Sequence, residues 1–211
     1  MTITTVANTG NSVGGFAKLR IGLDGFPVIA QKSFVLNALL LTKCDDPACS
    51  GTGELTSTVD ALGGNGLGND ISLLIRANGL PLISHRNAPS ATVRLVNCND
   101  VACAGGNDEV SVLGDNGQSI GGLKALSMAL GADGLPVLAF VNATNGALRL
   151  AHCADDHCFV GAATFATLDD PGGELRNVVA LIAPDNTPIV AYQNFATGQL
   201  KVVKCGTRGC L

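Results

Sequence analysis

The stretch Asp133-Gly134-Leu135-Pro136-Val137-Leu138-Ala139, with Cys153 17 residues beyond its proline, decides the fold because the chain says it four times. The other copies are Asp24-Gly25-Phe26-Pro27-Val28-Ile29-Ala30, Asn78-Gly79-Leu80-Pro81-Leu82-Ile83-Ser84 and Asp185-Asn186-Thr187-Pro188-Ile189-Val190-Ala191. The same 17-residue spacing separates Pro27 from Cys44, Pro81 from Cys98 and Pro188 from Cys205. Each of these cysteines has a partner five positions on: Cys49, Cys103, Cys158 and Cys210. Successive first cysteines lie 54, 55 and 52 residues apart, a period suited to a four-stranded propeller blade and too long for a leucine-rich or ankyrin unit.

Within one unit the pattern predicts four strands. In the second copy Ile71 to Ala77 is an apolar run, Asn78-Gly79 signals a type I′ hairpin, and Leu80 to His85 is the next strand. A turn over Asn87 to Ser90 leads to strands at Thr92 to Asn97 and Glu109 to Leu113. Glycine is frequent, with 27 residues, and the apolar period is nearer two than 3.6, so no helix is expected. The predicted fold is an all-β, four-bladed β-propeller, one domain over residues 1–211. Its blades are expected at about 16–60, 69–114 and 123–168, with the last at 174–211 plus 2–8. Residues 2–8 enter because Thr2-Ile3-Thr4-Thr5-Val6-Ala7-Asn8 resembles Leu55-Thr56-Ser57-Thr58-Val59-Asp60, the fourth strand of the first unit, while the last unit ends at Leu211 without one. A strand from the N-terminus would close the ring and remove an open edge. The competing arrangement is a half-ring that joins a second chain to make eight blades; a monomer is the favoured reading.

Composition narrows the partners. A chain of 211 residues buries roughly 70% of the surface its unfolded form exposes. Charged residues make up 14%, hydrophobic residues 46%, and the formal net charge is -4. Disorder and nucleic-acid binding are therefore both disfavoured. The mean hydropathy is +0.34, yet runs such as Phe34 to Leu41 fall short of the roughly 18 residues of a membrane span, so no membrane insertion is expected. Residues 1–15 carry no secretory signal pattern.

Eight cysteines in four C-x4-C pairs fit local disulfides, since residues facing each other across a hairpin loop have Cα atoms roughly 4.5 to 5.5 Å apart. Zinc would need two pairs to meet, and iron-sulfur spacing would need a further cysteine. Disulfides imply an oxidising compartment, hence a secreted or periplasmic protein.

At these residues the chain resembles the bacterial extracellular β-propeller repeats of the form D-G-L-P-V-I-S-Y followed by L-K-V-x-x-C-x4-C. Leu200-Lys201-Val202-Val203-Lys204-Cys205 and Leu148-Arg149-Leu150-Ala151-His152-Cys153 match the second half. The resemblance implies a structural repeat and carries no activity. A weaker likeness to the sialidase Asp-box rests on Asp46, Asp100 and Asp155, each two residues after a cysteine. The Ser, Gly and Trp of that box are missing, and the box lies away from the sialidase active site.

Candidate ligand residues come from positions that vary inside the constant frame. Four past each proline stand Gln31, His85, Phe140 and Tyr192; five past stand Lys32, Arg86, Val141 and Gln193; six past stand Ser33, Asn87, Asn142 and Asn194. These are expected in the loops between strands two and three. Lys18, Asp70, Lys124, Glu174 and Arg176, at the start of each first strand, could line a channel mouth and take an anion or small polar solute. The proposed ligand set is Gln31, Lys32, His85, Arg86, Lys124, Arg176, Tyr192 and Gln193. The solvated-loop explanation competes with it.

Catalytic groups are sparse. His152 and His157 flank one cysteine pair, His85 is alone, and Asp169-Asp170 read as the start of a turn into Pro171-Gly172-Gly173. Gly63 to Gly68 lacks the lysine and helix of a phosphate loop, and Asn142-Ala143-Thr144 is a glycosylation sequon. No cofactor is implied beyond an ion held in the central channel. The function read from this is a non-catalytic binding or scaffold module with an unidentified small polar ligand, glycan or protein partner. The alternatives are a carbohydrate lectin, weakened by the absence of Trp and a single Tyr, and a glycan-active hydrolase or lyase.

Overall fold

The computed structural model describes residues 3–7, 10, 12–61, 67–113, 125–159 and 161–211. All regular elements among them are strands, and none is a helix long and apolar enough to cross a membrane. Sheet one is β1 (Gly15–Ile21), β2 (Pro27–Ser33), β3 (Ala38–Lys43) and β4 (Leu55–Ala61) in that order. Sheet two is β5 (Leu67–Ile75), β6 (Pro81–Asn87), β7 (Thr92–Asn97) and β8 (Glu109–Leu113). Sheet three is β9 (Leu126–Leu130), β10 (Pro136–Val141), β11 (Leu148–Cys153) and β12 (Ala163–Asp169). Sheet four, among the described residues, has β13 (Leu175–Ile182), β14 (Pro188–Asn194) and β15 (Gln199–Lys204).

The repeated phrase explains itself in the turns. Gly79 N–H donates to Arg76 O at 2.9 Å and Arg76 N–H to Leu80 O at 3.0 Å, with Gly79 at φ +83°. Asn78 is not left-handed, so the hairpin is a type I turn closed by a bulged glycine, and the expected type I′ turn is not formed. Gly25, Gly134 and Asn186 hold the same left-handed place, at φ +82°, +80° and +65°. The preceding Asp24, Asn78, Asp133 and Asp185 each accept the N–H two residues on, at 3.0 to 3.2 Å. Proline then opens the second strand, where its missing N–H costs nothing. Its carbonyl accepts from the cysteine 17 residues later, as in Cys44 N–H to Pro27 O at 3.0 Å and Cys205 N–H to Pro188 O at 2.9 Å.

All eight cysteines are disulfide-bonded as expected, with Cα–Cα distances of 5.0, 4.9, 5.1 and 4.9 Å. The second cysteine of each pair sits in the turn itself, left-handed at φ +47° to +57°. The Asp two residues after the first cysteine organises this loop. Asp100 accepts from Ala102, Ala104 and Gly105 N–H groups, Asp46 from Ala48 and Ser50, and Asp155 from His157 and Cys158.

The expected strand over 2–8 does not form. Residues 3–7 carry no strand, and residues 2 and 8 lie outside the described residues. Gly10, Ser12 and Gly14 are left-handed, at φ +70°, +47° and +90°. Thr4 nevertheless makes a repeated contact: its Oγ1 donates to Ala48 O at 3.3 Å, just before the second cysteine of the first loop. Ser57 Oγ makes the equivalent bond to Ala102 O at 2.7 Å, and Ser111 Oγ to His157 O.

The chain divides into two compact units, Met1–Pro89 with Val96–Val110, and Ser90–Leu95 with Ser111–Leu211. The first unit's core alternates along strands, Val28 and Ala30 with Leu39 and Leu41, against Ile71, Leu73 and Ile83. The second packs Val137, Ala139, Leu148 and Leu150 against Val178, Ala180, Val190 and Tyr192. Each such buried aliphatic contributes about 1.5 to 3 kcal/mol of transfer free energy.

Candidate functional site

In the second unit two turns enclose a cavity of about 440 Å³, within the range of small-molecule sites. One wall is the turn after β10, Asn142 to Gly146; the other is Gly172, Gly173 and Glu174, leading into β13. The first turn is fixed internally: Asn142 Oδ1 accepts Thr144 N–H at 2.8 Å and Asn145 Oδ1 accepts Ala147 N–H at 3.1 Å. Asn142 is buried, so the sequon nitrogen faces the interior. Glycine is required where the walls meet, since a Cβ at Gly146 would lie 3.0 Å from Gly173 O, and φ there is +78°.

Behind this wall β13 carries a bulge between Arg176 and Val179, with Asn177 left-handed at φ +54°. Bulges re-aim side chains at rims. Arg176 Nε donates to Glu174 Oε1 at 2.6 Å, and its guanidinium lies 3.6 Å from the Phe195 ring centroid. Phe195 N–H donates to Glu174 O at 2.8 Å, tying the aromatic residue to the wall. The Arg176 hydrogen bond holds the Glu174 carboxyl below its usual range, so it stays ionised. Gln193 pairs with Arg176 across the strands and accepts from Asn177 Nδ2 at 2.9 Å.

Of the residues expected from sequence counting, Glu174 lines this cavity, while Arg176 and Gln193 do not line it and are linked to it through the Arg176–Glu174 bond and the Arg176–Gln193 strand pairing. Tyr192 is buried; its hydroxyl donates to Asp169, which also accepts from Lys201 Nζ at 2.9 Å. The Tyr192 bond is the main influence lowering the Asp169 carboxyl, and burial foremost raises the Tyr192 hydroxyl.

In the first unit, Gln31 is buried and donates to Thr42 Oγ1 at 3.2 Å. Lys32 is buried with Nζ 5.3 Å from the Phe34 centroid, and burial lowers its pKa. His85 is fully buried with Nε2 2.8 Å from Asp60 Oδ2, and Arg86 is half-buried beside it on β6. These residues lie on strands, not in loops, because strand two extends five or six residues past its proline. Of the channel-mouth set, Asp70 is buried and Lys18 exposed; Lys124 lies outside the described residues. His152 bonds Asp133 at 2.9 Å, and His157 stacks on Phe159.

Among the described residues two groups bring metal-type ligand atoms within 4.8 Å of one another: Asp45, Asp46 and Glu54, and Cys98, Cys103 and Asp108. The sulfurs of the second are spent on a disulfide. Phe195, half-exposed, is the residue that sequence counting missed. The available signal was its place seven past Pro188, where the two middle copies have Ala88 and Ala143.

No protein-family model matches the chain, and no curated protein matches it. Among solved structures it is similar to the intramolecular trans-sialidase from Ruminococcus gnavus, at 15% identity and TM-score 0.58, over 85% of this chain and 40% of that one. It is also similar to a leech intramolecular trans-sialidase, at 16% identity and TM-score 0.56, over 85% and 29%. A bifunctional GH43-CE protein from Bacteroides eggerthii matches at 14% identity and TM-score 0.52, over 92% and 28%. The chain thus spans less than half the length of these proteins. The likeness is one of fold, and supports an all-β, propeller-like architecture.

Proposed function

We propose that this chain is a glycan-binding β-propeller module of an exported protein, holding a sugar in the second unit's rim cavity without cleaving it. The observation that carries this reading is the cavity wall, where Thr144, Asn145 and the Glu174 carboxylate stand, with the half-exposed Phe195 tied to Glu174 through its backbone N–H. Polar groups fixed by their own turns can orient hydroxyls, and an aromatic edge can support a ring. Hydrolysis is less well served: a glycosidase works with two carboxyls flanking the bond, one of them kept protonated. Among the described residues of the wall Glu174 is the carboxylate, and Arg176 keeps it ionised. The disulfides fit an oxidising, extracellular setting.

In this reading the four sheets form one ring, and residues near Thr4 stand where an outer strand of a preceding blade would stand. The support is the Thr4–Ala48 bond, which repeats the Ser57–Ala102 bond.

A glycan array probed with the disulfide-intact protein tests the binding role. Hits should weaken about 2- to 10-fold in Phe195→Ala, and silence at high protein concentration would remove the reading. The second reading, a glycan-active enzyme, is favoured by what the similar structures are named for. Turnover of an oligosaccharide abolished by Glu174→Gln would put it first.

A further inference from the structure

In the first unit the outer strand of sheet one, β4, is paired among the described residues on one side only, with β3. Along it runs a polar cleft of about 470 Å³, between the hydroxyl row Thr56, Ser57 and Thr58 and the second cysteine loop, where Asp108 stands. The segments around it are acidic, and the nearby cations are engaged elsewhere: Lys43, opposite Leu55, bonds Asp24 at 2.7 Å and Cys44 O at 2.8 Å, and Arg76 bonds Asn97 Oδ1 at 3.2 Å and Cys98 O at 3.0 Å. Residues 44–61 and 98–113 hold Asp45, Asp46, Glu54, Asp60, Asp100, Asp108 and Glu109, and neither segment contains a lysine or arginine. Asp60 is turned inward to His85, whereas Asp45 and Asp46 lie in the loop preceding β4 and Glu54 immediately before it. Asp108 spends one oxygen on Asn99 N–H at 3.0 Å.

We propose that β4 and this cleft receive an extended, lysine- or arginine-bearing peptide segment, which adds to the strand through its backbone and sets its cations against Asp108 and Glu54. An unpaired edge offers main-chain hydrogen bonds in register, and alternate side chains of an added strand fall on one face. The excess of carboxylates over these engaged cations selects basic over acidic sequences. The site belongs to the first unit, the proposed sugar cavity to the second, and the proposal does not depend on that cavity.

The test is fluorescence anisotropy with a labelled peptide of alternating lysine and valine, an otherwise matched glutamate–valine peptide, and a lysine–valine peptide N-methylated on alternate amides. The first is expected to bind the full chain, more weakly as ionic strength rises; the other two should not. Asp108→Asn keeps the acceptor for Asn99 N–H and should weaken binding about 1.5- to 5-fold, as should Glu54→Gln, which lies outside that loop. Equal binding of the N-methylated peptide would mean charge attraction without strand addition and would overturn the proposal. So would equal binding of the acidic peptide, failure of the lysine–valine peptide to bind, or unchanged affinity in both variants.

Discussion

Replacing His85 with leucine is expected to lower stability by about 3 kcal/mol, with no ligand involved. The His85 side chain is fully buried, that of Asp60 is 7% exposed, and 2.8 Å separates Nε2 from Oδ2. Leucine fills comparable space but donates nothing, so Asp60 loses this partner in a place water barely reaches. A hydrogen bond to a charged group is worth about 1.5 to 3 kcal/mol, and breaking a buried pair costs about 3 to 5. The remaining interactions of Asp60 place the loss where those ranges meet. With a urea slope of about 2 kcal/mol per molar, the midpoint should fall by about 1.5 M. Asp60→Asn keeps an acceptor and should lose about 1 kcal/mol. The losses should overlap in the double variant, making it cheaper than their sum by at least about 0.5 kcal/mol. Circular dichroism is the suitable probe, because the chain has no Trp and its single Tyr lies in the other unit. A midpoint shift below about 0.5 M for His85→Leu, or additivity in the cycle, would refute the assignment of this pair as a structural bond.

Ser57→Ala removes the 2.7 Å bond to Ala102 O and should cost about 1 kcal/mol in urea unfolding, while Ser57→Thr retains most of it. Tyr192→Phe leaves Asp169 with Lys201 and should destabilise by about 1.5 to 3 kcal/mol; no loss would mean the bond is not made in solution. Acid should unfold the protein progressively below about pH 4. Asp24, Asp46, Asp133, Asp169 and Asp185 all sit below the usual aspartate value. A carboxyl depressed by folding stabilises the fold above its unfolded pKa and loses that contribution as pH falls through the folded one. For Asp185, bonded by Lys204, the window runs from 3.8 down to about 2. Thermal melts at stepped pH check this, and a melting point flat from pH 5 to about pH 2 would contradict it.

The architecture was legible because the repeat forces the same backbone bonds four times. Period-two apolar spacing at Val28 and Ala30 or Val137 and Ala139 sends alternate residues into the core, and the bounds of β7 and β8 fall where β-branched residues run out. The turn type was not legible from Asn78-Gly79, since that pair suits both a I′ turn and a type I turn with a bulged glycine. Only the extra residue before proline, which adds a second bond at Arg76 N–H, separates them. The N-terminal strand was misjudged for a related reason. Thr and Val alternation reports a preference for extension, whereas strand formation depends on a partner edge, and Thr4 meets its neighbour through a hydroxyl. Counting from proline located variable positions correctly but took them for loop residues. Strand two runs on through Ser33, Asn87 and Asn194, so the fourth position past proline is a strand position; in β2 it lies on the face opposite Val28 and Ala30, and Gln31, His85 and Tyr192 are all buried.

That alternation also separates frame from function. The recurring polar residues are occupied by backbone: Asp24, Asn78, Asp133 and Asp185 accept turn N–H groups, and Asp46, Asp100 and Asp155 hold the cysteine loops. A group satisfied in this way has little left for a ligand, and changing it costs stability before it costs recognition. In the proposed reading, recognition therefore falls to residues that the repeat does not prescribe. Glu174, Arg176 and Phe195 fit that description: Glu174 lines the cavity, Arg176 bonds it at 2.6 Å and lies over the Phe195 ring, and that half-exposed ring is replaced by alanine in the two middle units. Substitutions there should alter ligand affinity at nearly constant unfolding free energy, the reverse of what substitutions in the frame should do.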